Sequence, residues 1–301
     1  MTGTGGEPRF DSYYGRPIIN PPVWEALDIA GYFFLGGLAG ASSVLGAGAQ
    51  ATGRPALART AKAGALGAIG VSFVALVHDL GRPARFVNML RVFKPSSPMN
   101  LGTWLLSAYA PAAGVAAASA VFGRVPRAGA AATASAAVLG PAVATYTAVL
   151  LADTAVPAWH DGHRELPYLF AASAAAAAAG LGLIGAPTAQ AAPARRLAAL
   201  ATGAELVAVE LLKHRVEEVA ETYEEDRAGR LMRAAQVLGI AGAGGALTAG
   251  RHHRVAAAAS GVALLAASAA TRFGVFAAGM RSAEDPRYTV GPQRRRREAR
   301  A

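Results

Sequence analysis

Cysteine is absent from all 301 residues, which removes disulfides, thiolate-held metals and protein-bound iron–sulfur clusters together. Charge is sparse as well: 16% of residues are Asp, Glu, Lys or Arg against 53% hydrophobic, and the mean hydropathy is +0.31. That is too little polar surface for a soluble domain of this length. A net charge of +10 would suggest nucleic acid in a soluble protein. Here the arginines gather between apolar runs and are not interleaved with exposed aromatics, so no nucleic-acid partner is expected. The first 22 residues contain Glu7, Arg9, Asp11 and Arg16 and lack the basic start and short apolar core of a cleavable signal peptide. The first apolar run is therefore expected to serve as an uncleaved insertion signal.

Long uncharged runs are what the chain does have. Stretches of about twenty apolar residues match the hydrocarbon layer as helices. They fall near 24–49, 61–80, 100–122, 130–155, 166–186, 196–216, 234–250 and 255–280, the seventh being short and containing GAGG. The expected fold is an all-α integral membrane bundle of eight transmembrane helices over 24–281. A polar segment precedes it at 1–23, and a basic extended tail follows at 282–301. GRP at 81–83 and PSSP at 95–98 end helices, because proline lacks a donor and restricts the residue before it. Gly36 and Gly40 form a small-xxx-small pair suited to close helix packing. No internal repeat is evident. Eight spans place both termini on one face, which receives 19 of the 29 Lys and Arg residues against 9 on the other, with Arg272 inside the last span. The excess assigns the termini to the cytoplasm.

Ionisable groups inside spans are rare and usually face a protein interior. Here they share a depth. Asp28 and Tyr32, four residues apart on one helix face, lie early in the first span, and His78 and Asp79 end the second. Tyr146 and Asp153 approach the same face from the fourth, Glu210 from the sixth with Glu205 deeper, and Arg272 from the eighth. The arrangement suits a pocket for an amphipathic ligand with a polar head, such as a quinone, whose carbonyls a phenol, carboxyl or imidazole can protonate. Plainer readings stand beside this one. Tyr32, Tyr146 and His78 fit an interfacial belt, and Asp79 with Arg82 fits a helix-end ion pair. Arg272 needs a buried partner, with Glu210 or Glu205 at the right depth. The six histidines fall in loops or at span ends, which argues against a haem held between helices. The segment 213–233 is expected to extend the sixth helix beyond the membrane and turn at Gly229, and with the tail it offers a docking surface on the same face.

HDLGRPARFVNMLRVFKPSSPMNLGTW (78–104) resembles the signature of the NrfD-like, or polysulfide-reductase membrane-subunit, family. YTAVLLADTAVPAW (146–159), LPYLFAASA (166–174), WEALDIAGYFFLGGLAG (24–40) and SAEDPRYTVGPQR (282–294) extend the resemblance over nearly the whole chain. It implies an eight-helix, haem-free anchor of a molybdenum or tungsten oxidoreductase, exchanging electrons between a docked ferredoxin-like iron–sulfur subunit and membrane quinone of the menaquinone or ubiquinone type. A molybdopterin catalytic subunit, of formate-dehydrogenase type given the cytoplasmic face, would complete the complex in a bacterial inner membrane. Aligned through GLAG (37–40), the family's quinone-binding positions fall on Asp28, Tyr32 and Tyr146, where Asp and Tyr replace the family's amide and imidazole. His78, Asp79 and Arg82 would border the site and supply protons. The rival readings are a secondary or proton-translocating transporter and a purely structural anchor.

Overall fold

The computed structural model describes residues 18–20, 22–79 and 84–291, and among them the chain is helical without a β-strand. The helices are α1 (Ala26–Ala51), α2 (Pro55–Asp79), α3 (Ala84–Met89), α4 (Pro98–Phe122), α5 (Pro126–Ala152), α6 (Pro157–His160), α7 (Leu166–Gly185), α8 (Ala192–Val216), α9 (Glu221–Glu224), α10 (Asp226–Leu247) and α11 (Arg254–Glu284). Local sequence explains where they start and stop. Ser97 caps α4 by accepting from the Asn100 amide at 3.4 Å, Pro98 occupies its first turn, and Gly123 closes it in the left-handed conformation at φ 67°.

Six helices are long and apolar enough to cross a membrane: α1, α2, α4, α5, α7 and α11. The expectation of eight spans is thus met only in part. The sequence expectation also lacked three short helices, α3, α6 and α9. Two further helices, α8 and α10, have the length of a span, but Arg195, Arg196, Glu205 and Glu210 interrupt one, and Asp226, Arg227, Arg230 and Arg233 occupy the first turns of the other.

The long helices form two four-membered rings. In the first half α1 packs on α2 and α5, and α4 on both α2 and α5; in the second α7 packs on α8 and α11, and α10 on both α8 and α11. The halves join through α1 against α7, α1 against α11 and α5 against α7. This makes α1 and α7 the innermost helices: 72% and 67% of their apolar windows are buried, against 33% in α2 and 28% in α4.

A repeat undetected in the sequence emerges at the helix crossings. Where α1 meets α5, a Cβ added to Gly40 would overlap the Gly140 carbonyl oxygen, and one added to Gly140 would overlap that of Gly40. Gly180 on α7 and Gly261 on α11 stand in the same reciprocal relation. Val44 flanks the first crossing and Ile184 the second, both 140 residues apart like Gly40 and Gly180, and AQA recurs at 49–51 and 189–191. With no hydrophobic effect between helices in lipid, such backbone contact is what holds each half together.

Two further expectations change. The 213–233 segment does not continue straight to Gly229. Instead α8 ends at Val216, Glu217 takes φ 47°, a 3₁₀ turn covers Glu217–Ala220, and α10 restarts at Asp226. Gly229 lies inside α10, where its missing side chain admits the Glu224 carbonyl. The tail is not extended over its described part: α11 reaches Glu284, residues 287–291 are helical, and Tyr288 is 4% exposed.

Candidate functional site

The first half places its polar residues near the face where α1 begins. Asp28, in the first turn of α1, meets His78 in the last turn of α2, with Oδ2 and Nδ1 2.7 Å apart. The Asp28 side chain is 18% exposed and the imidazole 74%, so the pair bridges the protein edge and the aqueous boundary. Asp79 and Glu25 add negative charge around the same imidazole. Arg82 lies outside the described residues. Asp153, the residue that caps the end of α5, is exposed and makes no hydrogen bond or ion pair to this group among the described residues.

One turn deeper, Tyr32 is 2% exposed, and its hydroxyl has no hydrogen-bond partner among the described residues. It faces the Tyr146 phenol from α5, close enough for the two hydroxyls to interact. Ser72 of α2 donates to the Tyr32 carbonyl at 3.2 Å and fixes the helix behind the ring. Tyr146 reaches this position because α4 carries Gly102 there, and any Cβ at that residue would run into the phenol. A Cβ built on the neighbouring Gly31 meets no atom within 4 Å, so that position of α1 faces open space. Ser72 and Gly102 were not singled out by sequence, since a lone serine or glycine in an apolar run carries no distinguishing pattern.

Aromatic rings lead from this site into the second half. Tyr32 and Phe33 are 5.8 Å apart, Phe33 and Phe170 6.2 Å, and the Arg272 guanidinium lies 3.8 Å from the Phe170 ring centroid. Arg272 is 1% exposed; its Nη2 donates to the Phe170 carbonyl at 2.7 Å, while Nε and Nη1 have no partner among the described residues. Glu205 is the carboxylate near it, accepting from Thr271 at 2.6 Å without an ion pair to Arg272. Glu210 points elsewhere: its side chain is 60% exposed and sits 3.3 Å from Lys213.

Trp159, on the short α6, plugs the seam between the halves. Its indole donates to the Val275 carbonyl at 2.8 Å and stacks on Trp24 at 5.9 Å, in a slot opened by Gly279. Tyr223 donates to the Ala158 carbonyl at 2.7 Å, and burial pushes its phenol well above the ordinary value. Outside this seam lies an ionic cap. Arg281 contacts Glu225 at 2.7 Å and Asp226 at 2.5 Å, and Lys213 contacts Glu224 at 3.1 Å. The Arg281 guanidinium holds the Glu225 carboxyl below its usual value. A cleft of about 430 Å³ opens here between the starts of α1 and α10 and the end of α11, walled by Trp24, Phe273, Phe276 and Met280.

The long apolar helices define a multi-pass helical membrane protein, with Asp28, His78 and Tyr32 gathered at one end of its first half. The sequence model of the family described as Polysulphide reductase, NrfD matches residues 18–195, more than half of the chain. The chain belongs to that family, whose members are membrane subunits associated with oxidoreductase complexes. Among curated proteins none matches the sequence.

Proposed function

We propose that the chain is the quinone-reactive, haem-free anchor of a molybdenum- or tungsten-dependent oxidoreductase, with α8 and α10 completing an eight-span bundle. The observation that carries this reading is the buried Tyr32 hydroxyl, which faces the Tyr146 phenol and is satisfied at hydrogen-bond geometry by none of the described residues. A buried donor left unpaired is costly, so such a group marks a place where a ligand acceptor belongs. A quinone carbonyl is such an acceptor, and its bound ring would supply two-electron, two-proton redox chemistry. Tyr32 and Tyr146 then orient the head by donating hydrogen bonds. The Asp28–His78 pair, one turn nearer water, holds an exchangeable proton between Oδ2 and Nδ1.

Electrons would enter from an iron–sulfur subunit docked on the face bearing the ionic cap and the cleft, with a molybdopterin subunit beyond it. The excess of Lys and Arg on that face supports a cytoplasmic position in a bacterial inner membrane. The two-half repeat is a feature that transporters share, and it keeps that reading as the alternative. Tyr146→Phe in the assembled complex separates the three roles. Quinone-linked turnover falls by about 10²-fold, the lower end for loss of a general acid, with assembly intact. Unchanged turnover would leave a passive anchor, and solute uptake by vesicles containing this chain alone would point to transport.

A further inference from the structure

The opposite end of the first half holds a charge pattern that the quinone reading does not use. Between Asp28 and Asp153 the only carboxylate is Asp79, at the far end of α2. The end of α2 away from it begins with Arg54, Arg59 and Lys62, and these line a cavity of about 320 Å³ together with Gln50, Ser119 and Gly129. Lys62 is 6% exposed and forms the inner wall; its ammonium donates to the Gln50 side-chain oxygen, leaving further N–H groups for a ligand. Arg54 donates to the Thr52 carbonyl at 3.2 Å. Arg59 is exposed and has no ion pair among the described residues. Three cations therefore share one cavity with no carboxylate to balance them, an arrangement that favours a bound anion.

What lies below the cavity identifies the kind of anion. Leu66, Gly70 and Phe73 follow Arg59 at seven, eleven and fourteen residues, so all four lie on one face of α2. Leu66 and Phe73 are each 40% exposed, and a Cβ on Gly70 would meet no atom within 4 Å. An apolar track thus runs from the cationic cavity down the lipid-facing flank of a membrane helix. Phe122 at the end of α4 and Val125 on the turn to α5 are 72% and 61% exposed.

We propose that this cavity binds the phosphate of an anionic phospholipid from the leaflet opposite the termini, with an acyl chain lying along Leu66, Gly70 and Phe73. Lys62 and Arg59 contact the phosphate, Arg54 closes the mouth, and the track supplies the selectivity for lipid over free phosphate. The site is separate from the Tyr32–Tyr146 pair and stands whatever that pair binds.

The test uses the full chain, delipidated in neutral detergent, with melting temperature followed against added phosphatidylglycerol, phosphatidylcholine or inorganic phosphate. Phosphatidylglycerol raises the melting temperature while the other two do not. Arg59→Gln, an exposed substitution that spares the fold, raises the half-maximal phosphatidylglycerol concentration about tenfold, as expected for one lost charge-assisted contact. Gly70→Leu, which fills the track, weakens the same response. Equal shifts with phosphatidylcholine, an equal shift with inorganic phosphate alone, or an unchanged response in Arg59→Gln would each overturn the proposal.

Discussion

Gly102→Ala offers a sharp test of the site, because it alters neither a charge nor a hydrogen-bonding group. The added Cβ falls on the hydroxyl end of Tyr146, so it competes directly with the phenol for one volume. Two opposing effects set the stability. Alanine gains up to about 1 kcal/mol over glycine in a helix interior, while inserting a methyl into a packed core costs about 1–3 kcal/mol. The net loss is therefore about 0–3 kcal/mol, and the obstructing group is a movable side chain rather than backbone, so the bundle persists. The phenol, however, leaves its place opposite Tyr32. Quinone-linked turnover of the assembled complex is expected to drop at least about tenfold, which corresponds to about 1.4 kcal/mol of transition-state stabilisation. Because both changes act through one hydroxyl, Gly102→Ala combined with Tyr146→Phe should be no worse than Tyr146→Phe alone. Quinol-dependent dye reduction in membranes measures the rate, and size-exclusion chromatography of the complex reports assembly. Full turnover by an assembled Gly102→Ala complex would refute the placement of the reaction at this pair.

Two further outcomes are expected. Arg272→Met removes the donor to the Phe170 carbonyl and the cation near buried Glu205, leaving a buried acceptor unsatisfied at a cost of about 1–3 kcal/mol; adding Glu205→Gln should recover part of the lost melting temperature, and an additive double variant would show the two groups to be uncoupled. At the ionic cap, Glu225 is held below its ordinary value of 4.5 by Arg281. A depressed carboxylate contributes stability that is fully present above its unfolded value and is lost as pH falls through its folded value. Hydrogen exchange in 217–226 should therefore be pH-independent in its protection above about 5 and lose protection only in more acidic solution, an effect absent from Arg281→Met.

The helices of the bundle were legible because twenty-residue apolar runs leave few alternatives. Hydropathy placed the long helices less well where charge crowds their ends: α10 begins at Asp226, about two turns before the apolar run expected from 234. The short α6 and α9 escaped because four residues carry no periodicity, and the turn at Glu217 escaped because a glutamate at positive φ has no sequence signature. The repeat was hidden for a related reason: its markers are glycines in a chain with 35 of them, and only the reciprocal carbonyl contacts single out Gly40, Gly140, Gly180 and Gly261. For the site, spacing put Asp28 and Tyr32 on one face of α1, and depth matched them with His78 and Tyr146. Depth alone was unable to choose between Glu205 and Glu210 for Arg272, since helix rotation decides which of the two looks inward.

The reciprocal glycine crossings bear on how such a protein can change over generations and during work. At a place where two backbones already touch, every replacement is bulkier than what it replaces, so each half is close to a fixed block with no side chain available for tuning. Adjustment is left to the boundary where Phe33 meets Phe170 and Trp24 meets Trp159. There the halves meet through side chains, ring centroids 6.2 and 5.9 Å apart, so a change of ring can alter how the halves fit without moving a backbone.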